Sequence, residues 1–174
     1  MSKILWIDLE MTGLNPNVDR IVEVGALITD WDFNVLATYE SGVKHDKELL
    51  QRLFKVNPWA ADHAESTSQL LRLSAKSPSS DKVQGELIAF VNDHFNNEPV
   101  LLAGNSIHQD RRFIRKYWPE LEARLHYRML DVSAFKVVMM GKYNIKFEKT
   151  ETHRALDDIK ESIEELRSYL KKFN

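Results

Sequence analysis

Apolar and polar positions follow two different periods along this chain, and the change from one to the other divides it into elements. Residues 3–9 form an apolar run of strand length, and the turn formers Gly13, Asn15 and Pro16 follow it. "IVEVGALITD" (21–30) and "FNVLATYES" (33–41) predict two more strands, and the short "WDFN" connection predicts an antiparallel hairpin. Helical spacing predicts a brief helix over 47–54, a longer one over 58–76 and another over 82–95, where Val83, Leu87, Phe90 and Val91 share a face. The serines of "SPSSD" and Asp81 are good N-caps for that third helix. "PVLLAGN" (99–105) reads as a buried strand, 106–118 as a helix stopping near Pro119, and 127–133 as a short strand leading into "AFKVVMMGK". The last helix covers 153–173. Antiparallel strands first, then helix and strand in alternation, predict an α/β fold: a mixed sheet covered by helices, as one domain over 1–174.

Several carboxylates break the apolar pattern. Asp8 and Glu10 close the first strand, two residues apart and therefore on one side of it. Two like charges held together at the end of a buried strand repel, and burial adds to their cost. In the 106–118 helix, Ile107, Ile114, Tyr117 and Leu121 define the core-facing stripe and Asp110 falls inside it, while Arg111, Arg112, Arg115 and Lys116 fall outside. In the last helix, Leu156, Ile159, Ile163, Leu166 and Leu170 form the stripe. Asp157 projects away from it toward water, and Asp158 sits at its edge between small Ala155 and Ser162, where another group has room to approach. His153 opens that helix, five residues earlier; a histidine there is a cap, a surface residue or a general base with a pKa near neutrality. Separate salt bridges would explain each acid singly. Divalent cations would explain Asp8, Glu10, Asp110 and Asp158 together, because carboxylate oxygens are hard ligands of the kind Mg²⁺ and Mn²⁺ take. Two such ions about 4 Å apart stabilise the attacking and leaving oxygens of an in-line phosphoryl displacement.

Composition narrows the chemistry. The 174 residues include no cysteine, so disulfides and thiolate metal sites are excluded. No stretch is long and apolar enough to span a bilayer, and the first residues lack a signal peptide's cleavage region, so the expected location is cytoplasmic, with no membrane partner. The formal net charge of −2 does not suit a protein that grips long duplexes. Charge is uneven, though: residues 1–50 hold 4 basic and 9 acidic side chains (net −5), and residues 101–150 hold 10 basic and 5 acidic (net +5). An acidic region facing a basic one suits cations together with an anionic substrate; a mixed solvated surface gives the same counts.

Four segments carry a resemblance. "IDLEMTGL", "GNSIHQDRRF", "HYRMLDVS" and "HRALDDIKES", in that order, closely resemble the oligoribonucleases, in the histidine-containing branch of the DEDD exonuclease superfamily. The resemblance spans nearly the whole chain and implies an RNase H-like fold. It implies a 3′-to-5′ exoribonuclease that degrades very short single-stranded RNA, of about two to five nucleotides, to 5′-mononucleotides as a final step of RNA decay. It also implies two divalent cations, Mg²⁺ or Mn²⁺, and a homodimer. By motif match, Asp8, Glu10, Asp110 and Asp158 are the expected metal ligands, with Asp8 bridging both ions, and His153 is the expected base for the attacking water. Leu14 matches the residue that wedges between the two bases, and Trp59 the aromatic beside the 3′ nucleotide. Ser106, Arg128 and Ser133 match the cap over the 5′ phosphate, and Tyr127 the residue supplied by the other subunit. Such a cap, built from an arginine and hydroxyls, favours short substrates because it holds one chain end and blocks a longer chain from passing.

The chain departs from the family pattern in three places. His63 follows Trp59 at four positions where five is usual, Ala134 replaces a common threonine, and the 141–151 connection lacks a Trp-rich stretch. None of these touches an expected metal ligand. Three other readings stand beside the first: a DNA or tRNA-trimming exonuclease of the same branch, a metal phosphatase or phosphodiesterase acting on small nucleotides, and a catalytically silent dimeric binding module.

Overall fold

A computed structural model of the chain describes residues 2–96, 98–148 and 154–172. Among these residues there are five strands and eight helices. In chain order they are β1 (Ile4–Met11), β2 (Ile21–Thr29), β3 (Val35–Gly42), α1 (Lys47–Lys55), α2 (Pro58–Asp62), α3 (Ala64–Lys76), α4 (Ser80–Phe95), β4 (Val100–Gly104), α5 (His108–Tyr117), α6 (Pro119–Glu122), β5 (Leu125–Asp131), α7 (Val132–Tyr143) and α8 (Ala155–Leu170). The strands make one sheet in the order β3-β2-β1-β4-β5. β1 and β3 flank β2 antiparallel, whereas β1–β4 and β4–β5 are parallel. The mixed sheet expected from the sequence is therefore present, hairpin first and parallel strands after.

Alternation along β1 sorts its side chains between two layers. Leu5, Ile7 and Leu9 face the core formed with α4 and α5, through Leu87, Val91, Phe113 and Ile114. Ile4 and Trp6 face the other side, where Ile159, Ile163 and Leu166 of α8 cover them. Each such buried aliphatic or aromatic side chain contributes about 1.5–3 kcal/mol, so α8 is firmly seated. The Trp6 indole donates to Thr29 Oγ1 at 3.0 Å, which satisfies its one polar atom within that layer. Asp8 and Glu10 continue the Ile4–Trp6 row, so the fold points them toward α8.

Three elements differ from the sequence expectation. The 58–76 segment is two helices, broken at His63, whose backbone (φ −121°, ψ 51°) is not helical. The His63 ring stacks on Trp59 with centroids 4.5 Å apart, and its Nδ1 lies 2.9 Å from the Trp59 carbonyl oxygen. The 127–133 strand begins and ends earlier, because Asp131 caps α7 through Ser133 N–H and turns Val132 and Ser133 into helix. α4 starts at Ser80, capped by Ser79.

Candidate active site

β4 pairs with β1 only as far as Trp6 and ends at Gly104, while β1 runs on to Met11. The last residues of β1 therefore project past their parallel neighbour, at the carboxyl ends of both strands, which is where open α/β sheets form ligand crevices. The Leu9 N–H has no β4 partner there. Asp110, in the first turn of α5, supplies one: the Leu9 amide donates to its Oδ1 at 3.0 Å. Asp110 is buried. Burial, then the charge of Asp8, raises its pKa well above the usual carboxylate range.

Asp158 arrives from the opposite layer. α8 begins directly over β2 at Gly25, the residue paired with Asp8 in the antiparallel register. Asp8, Glu10 and Asp158 each offer a carboxylate oxygen, and the three oxygens lie within 4.8 Å of one another. All three residues are half-buried. The cost of the cluster falls on Glu10: burial first, then Asp8, Asp158, Glu23 and Asp110, push its carboxyl up to about 9. Asp157, one residue before, is exposed and pairs with Lys160 at 2.9 Å, as the helical spacing predicts.

Electrostatics of this kind fit a cation site. Carboxylates that would shed charge at neutral pH are stabilised as anions by a divalent ion, and an all-oxygen donor set suits Mg²⁺ or Mn²⁺. Asp110 is not one of the three clustered acids, but the Asp8 charge reaches it and helps raise its pKa. His153 lies outside the described residues.

Beside the carboxylates is a cleft of about 450 Å³, lined by Leu9, Glu10, Met11, Gly13, Leu14, Asn57 and Trp59. Leu14 is 64% exposed. Its loop is braced by Asp19, which accepts from Thr12 Oγ1 at 3.0 Å and from Asn15 N–H at 2.9 Å. Gly13 packs against that carboxylate so closely that a Cβ there would lie 2.6 Å from Asp19 Oδ2.

The exonuclease (RNase T) family matches residues 5–166. An oligoribonuclease of Neisseria meningitidis serogroup B is 41% identical over 176 residues, covering 99% of this chain and 92% of that protein. One from Francisella tularensis subsp. novicida is 39% identical over 172 residues, covering 98% of this chain and 96% of that one. The chain belongs to the oligoribonucleases, within the exonuclease family. By that membership it is a nuclease. Among solved structures it is similar to E. coli exonuclease I in complex with a 5cy-dA13 oligonucleotide, with a TM-score of 0.69 and 15% identity over 99% of this chain. The chain spans about two fifths of that protein, 41% of its length, and the likeness is one of fold.

The other site residues expected from the sequence fall in two places. Ser106 and Ser133 meet at the carboxyl ends of β4 and β5, with hydroxyl oxygens 3.0 Å apart. Asp131 organises them by accepting from both the Ser106 and Ser133 N–H groups. Ser106 has φ 49°, a backbone conformation rare for a residue with a side chain and held here by those bonds. Arg128 is exposed on β5, its guanidinium carbon 5.1 Å from the Tyr127 ring centroid. Tyr127 is 71% exposed, so it is no core aromatic.

Sequence reasoning passed over Glu23 and Arg154. Glu23 is buried, faces Glu10 in the β1–β2 register, and pairs with Arg154 at 3.0 Å just before α8. A lone acid in the most apolar strand of the chain was the available signal, the same one that singles out Asp8 and Glu10. Asn57 and Asp131 were also passed over; both cap helices.

Proposed function

We propose that this protein is a 3′-to-5′ exoribonuclease, a single cytoplasmic domain of the histidine-containing branch, that degrades RNA of two to five nucleotides to 5′-mononucleotides. Asp8, Glu10, Asp110 and Asp158 would hold two divalent cations, Mg²⁺ or Mn²⁺. When bound, those ions would supply charge stabilisation to the attacking and leaving oxygens of the phosphodiester. The observation that carries the reading is the convergence of Asp8, Glu10 and Asp158 within 4.8 Å at the edge of a cleft faced by Leu14 and Trp59. Asp8 and Glu10 come from β1 and Asp158 from α8, elements far apart in the chain, and the relatives at 38–41% identity are oligoribonucleases.

The protein's own groups divide the work. Leu14, exposed at the tip of a braced loop, enters between two bases, and Trp59 supplies a flat face for the 3′ base. His63 backs Trp59 by stacking on it. Ser106 and Ser133, with Arg128, form the cap over the 5′ phosphate. His153 takes the proton of the attacking water. Ala134 leaves the cap without a second hydroxyl on that turn.

A homodimer completes the site. β5 is an edge strand, with Tyr127 and Met129 exposed. On α7, Val137, Val138, Met140 and Tyr143 are also exposed, beside a groove of about 260 Å³ lined by Ala134, Phe135, Val138 and Met139. Apolar surface of this extent on an open sheet edge supports association. A second copy seated there brings its Tyr127 to the substrate.

The experiment is a 5′-labelled RNA series from two to ten nucleotides, run with Mg²⁺, Mn²⁺ and EDTA. Mononucleotide release should be fastest from the shortest 5′-phosphorylated chains and absent with EDTA. Equal rates per end on two- and ten-nucleotide RNA would remove the short-substrate reading. Activity in EDTA would remove the metal mechanism.

A further inference from the structure

Asn57 touches both walls of the cleft beside the carboxylates. Its Oδ1 accepts from the Trp59 N–H at 3.1 Å, capping α2 and fixing the helix that carries Trp59. Its Nδ2 donates to the Thr12 carbonyl oxygen at 2.8 Å. Thr12 is fully buried and is the root of the Leu14 loop: its N–H donates to Arg20 O, its hydroxyl to Asp19, and its Oγ1 accepts from Arg20 N–H. One planar amide thus ties the loop that presents Leu14 to the helix that presents Trp59.

The backbone around Asn57 makes the link stiff. Asn57 N–H donates to Phe54 O at 3.1 Å, anchoring it to the end of α1, whose Leu50 and Phe54 are buried. Pro58 follows at the first helical position, so φ is fixed on the very next residue. On the other side the loop is held by the Asp19 carboxylate and by Tyr117, whose hydroxyl donates to Asp19 O at 2.6 Å. Each wall is braced by its own bonds, and Asn57 links one to the other.

We propose that Asn57 is a positioning residue that sets the separation of Leu14 and Trp59, and so the fit of the cleft to a pair of nucleobases at an RNA end. The inference rests on the exoribonuclease reading above. A cleft already at its bound width spares the ordering cost of closing two walls on a small ligand. A dinucleotide has few contacts over which to recover that cost, so it is the substrate most sensitive to Asn57.

The test separates the two ends of the amide. Asn57→Ser and Asn57→Asp both keep an oxygen that caps α2, and both lose the donor to Thr12. Serine adds no charge near the carboxylates; aspartate caps more strongly and carries the test should the serine variant fold poorly. Two readouts are taken, the first without RNA. Amide hydrogen exchange should quicken over residues 13–17 in both variants while residues 60–62 keep their protection. With a 5′-phosphorylated dinucleotide, KM should rise about three- to tenfold, the worth of one hydrogen bond. In the serine variant the kcat should stay within about twofold and Mn²⁺ affinity measured by calorimetry should not change; the aspartate variant, which adds a charge, is read by exchange and KM alone. Unaltered exchange over 13–17 overturns the strut. Faster exchange with an unaltered KM overturns its bearing on substrate. A wild-type protein that cleaves no short RNA refutes the exoribonuclease reading instead, and the exchange arm still decides whether Asn57 holds the loop.

Discussion

Gly25 lies directly beneath Ala155: a Cβ on Gly25 would sit 2.8 Å from the Ala155 carbonyl carbon and 2.8 Å from the Leu156 nitrogen. Both neighbours are backbone, so neither can swing aside. Gly25 therefore sets how closely the first turn of α8 approaches the sheet, and Asp158 rides on that turn. The Gly25→Ala variant should lose about 1–3 kcal/mol of stability, as overpacked sites do. It should also bind Mn²⁺ more weakly, because Asp158 is pushed away from Asp8 and Glu10. Chemical denaturation and calorimetry on the same sample check both. Full Mn²⁺ affinity in a destabilised Gly25→Ala protein would separate the glycine from the acidic cluster.

Metal and pH should be linked through Glu10. In the unfolded chain its carboxyl titrates near 4.5, and in the metal-free fold it holds its proton up to about 9. Between those values the folded state binds more protons than the unfolded one, so metal-free stability falls as pH rises. A divalent cation replaces that proton and relieves the penalty. Melting temperature in EDTA should therefore decline from about pH 5 toward about pH 9, and the gain on adding Mg²⁺ should widen over the same window. Two melting curves that stay parallel across this range would remove Glu10 from the metal site.

Asp110 allows activity to be separated from folding. Its Oδ1 accepts the Leu9 N–H, and an asparagine oxygen accepts it equally well. Asp110→Asn should thus fold with unchanged or raised stability, since it removes an acid whose ionised form is opposed by burial and by Asp8. Activity should fall by more than about a hundredfold, the upper end of the effect of losing an outer partner at a metal site. Melting temperature and turnover, measured together, check the split. A stable Asp110→Asn protein with wild-type turnover would end its role as a ligand.

Most of the architecture was legible because it is local. Apolar runs of strand length and helical patterning located all five strands and the longer helices, and the turn formers after β1 marked its end. What escaped depends on contacts between side chains distant in pattern. The break at His63 has no glycine or proline to announce it; it shows only in the non-helical backbone of that residue. The reach of Asp110 to Leu9 needs β4 to stop short of β1, which no single segment encodes. The acidic cluster itself was readable as charge set into apolar pattern, at Asp8, Glu10, Asp110 and Asp158. Glu23 carried the same signal, and its partner Arg154 is 131 residues away, so only the folded chain reveals the pair.

The exposed side of β5 and α7 makes the last prediction. Tyr127 and Val137 are each 71% exposed, on adjoining elements, and the groove between Ala134 and Val138 is almost wholly apolar. A solvated monomer would leave this surface uncovered at a cost that scales with its area. Val137→Asp places a charge in that patch and should shift the proposed dimer to monomer without lowering its melting temperature at high dilution. Activity on dinucleotides should fall along with dimer content, because Tyr127 would no longer reach a neighbour's substrate. Tyr127→Ala makes the complementary test: the dimer should persist while KM rises. Sedimentation velocity across a concentration series, with turnover measured on the same samples, distinguishes these outcomes. A Val137→Asp monomer with full activity would show that each chain carries a complete site.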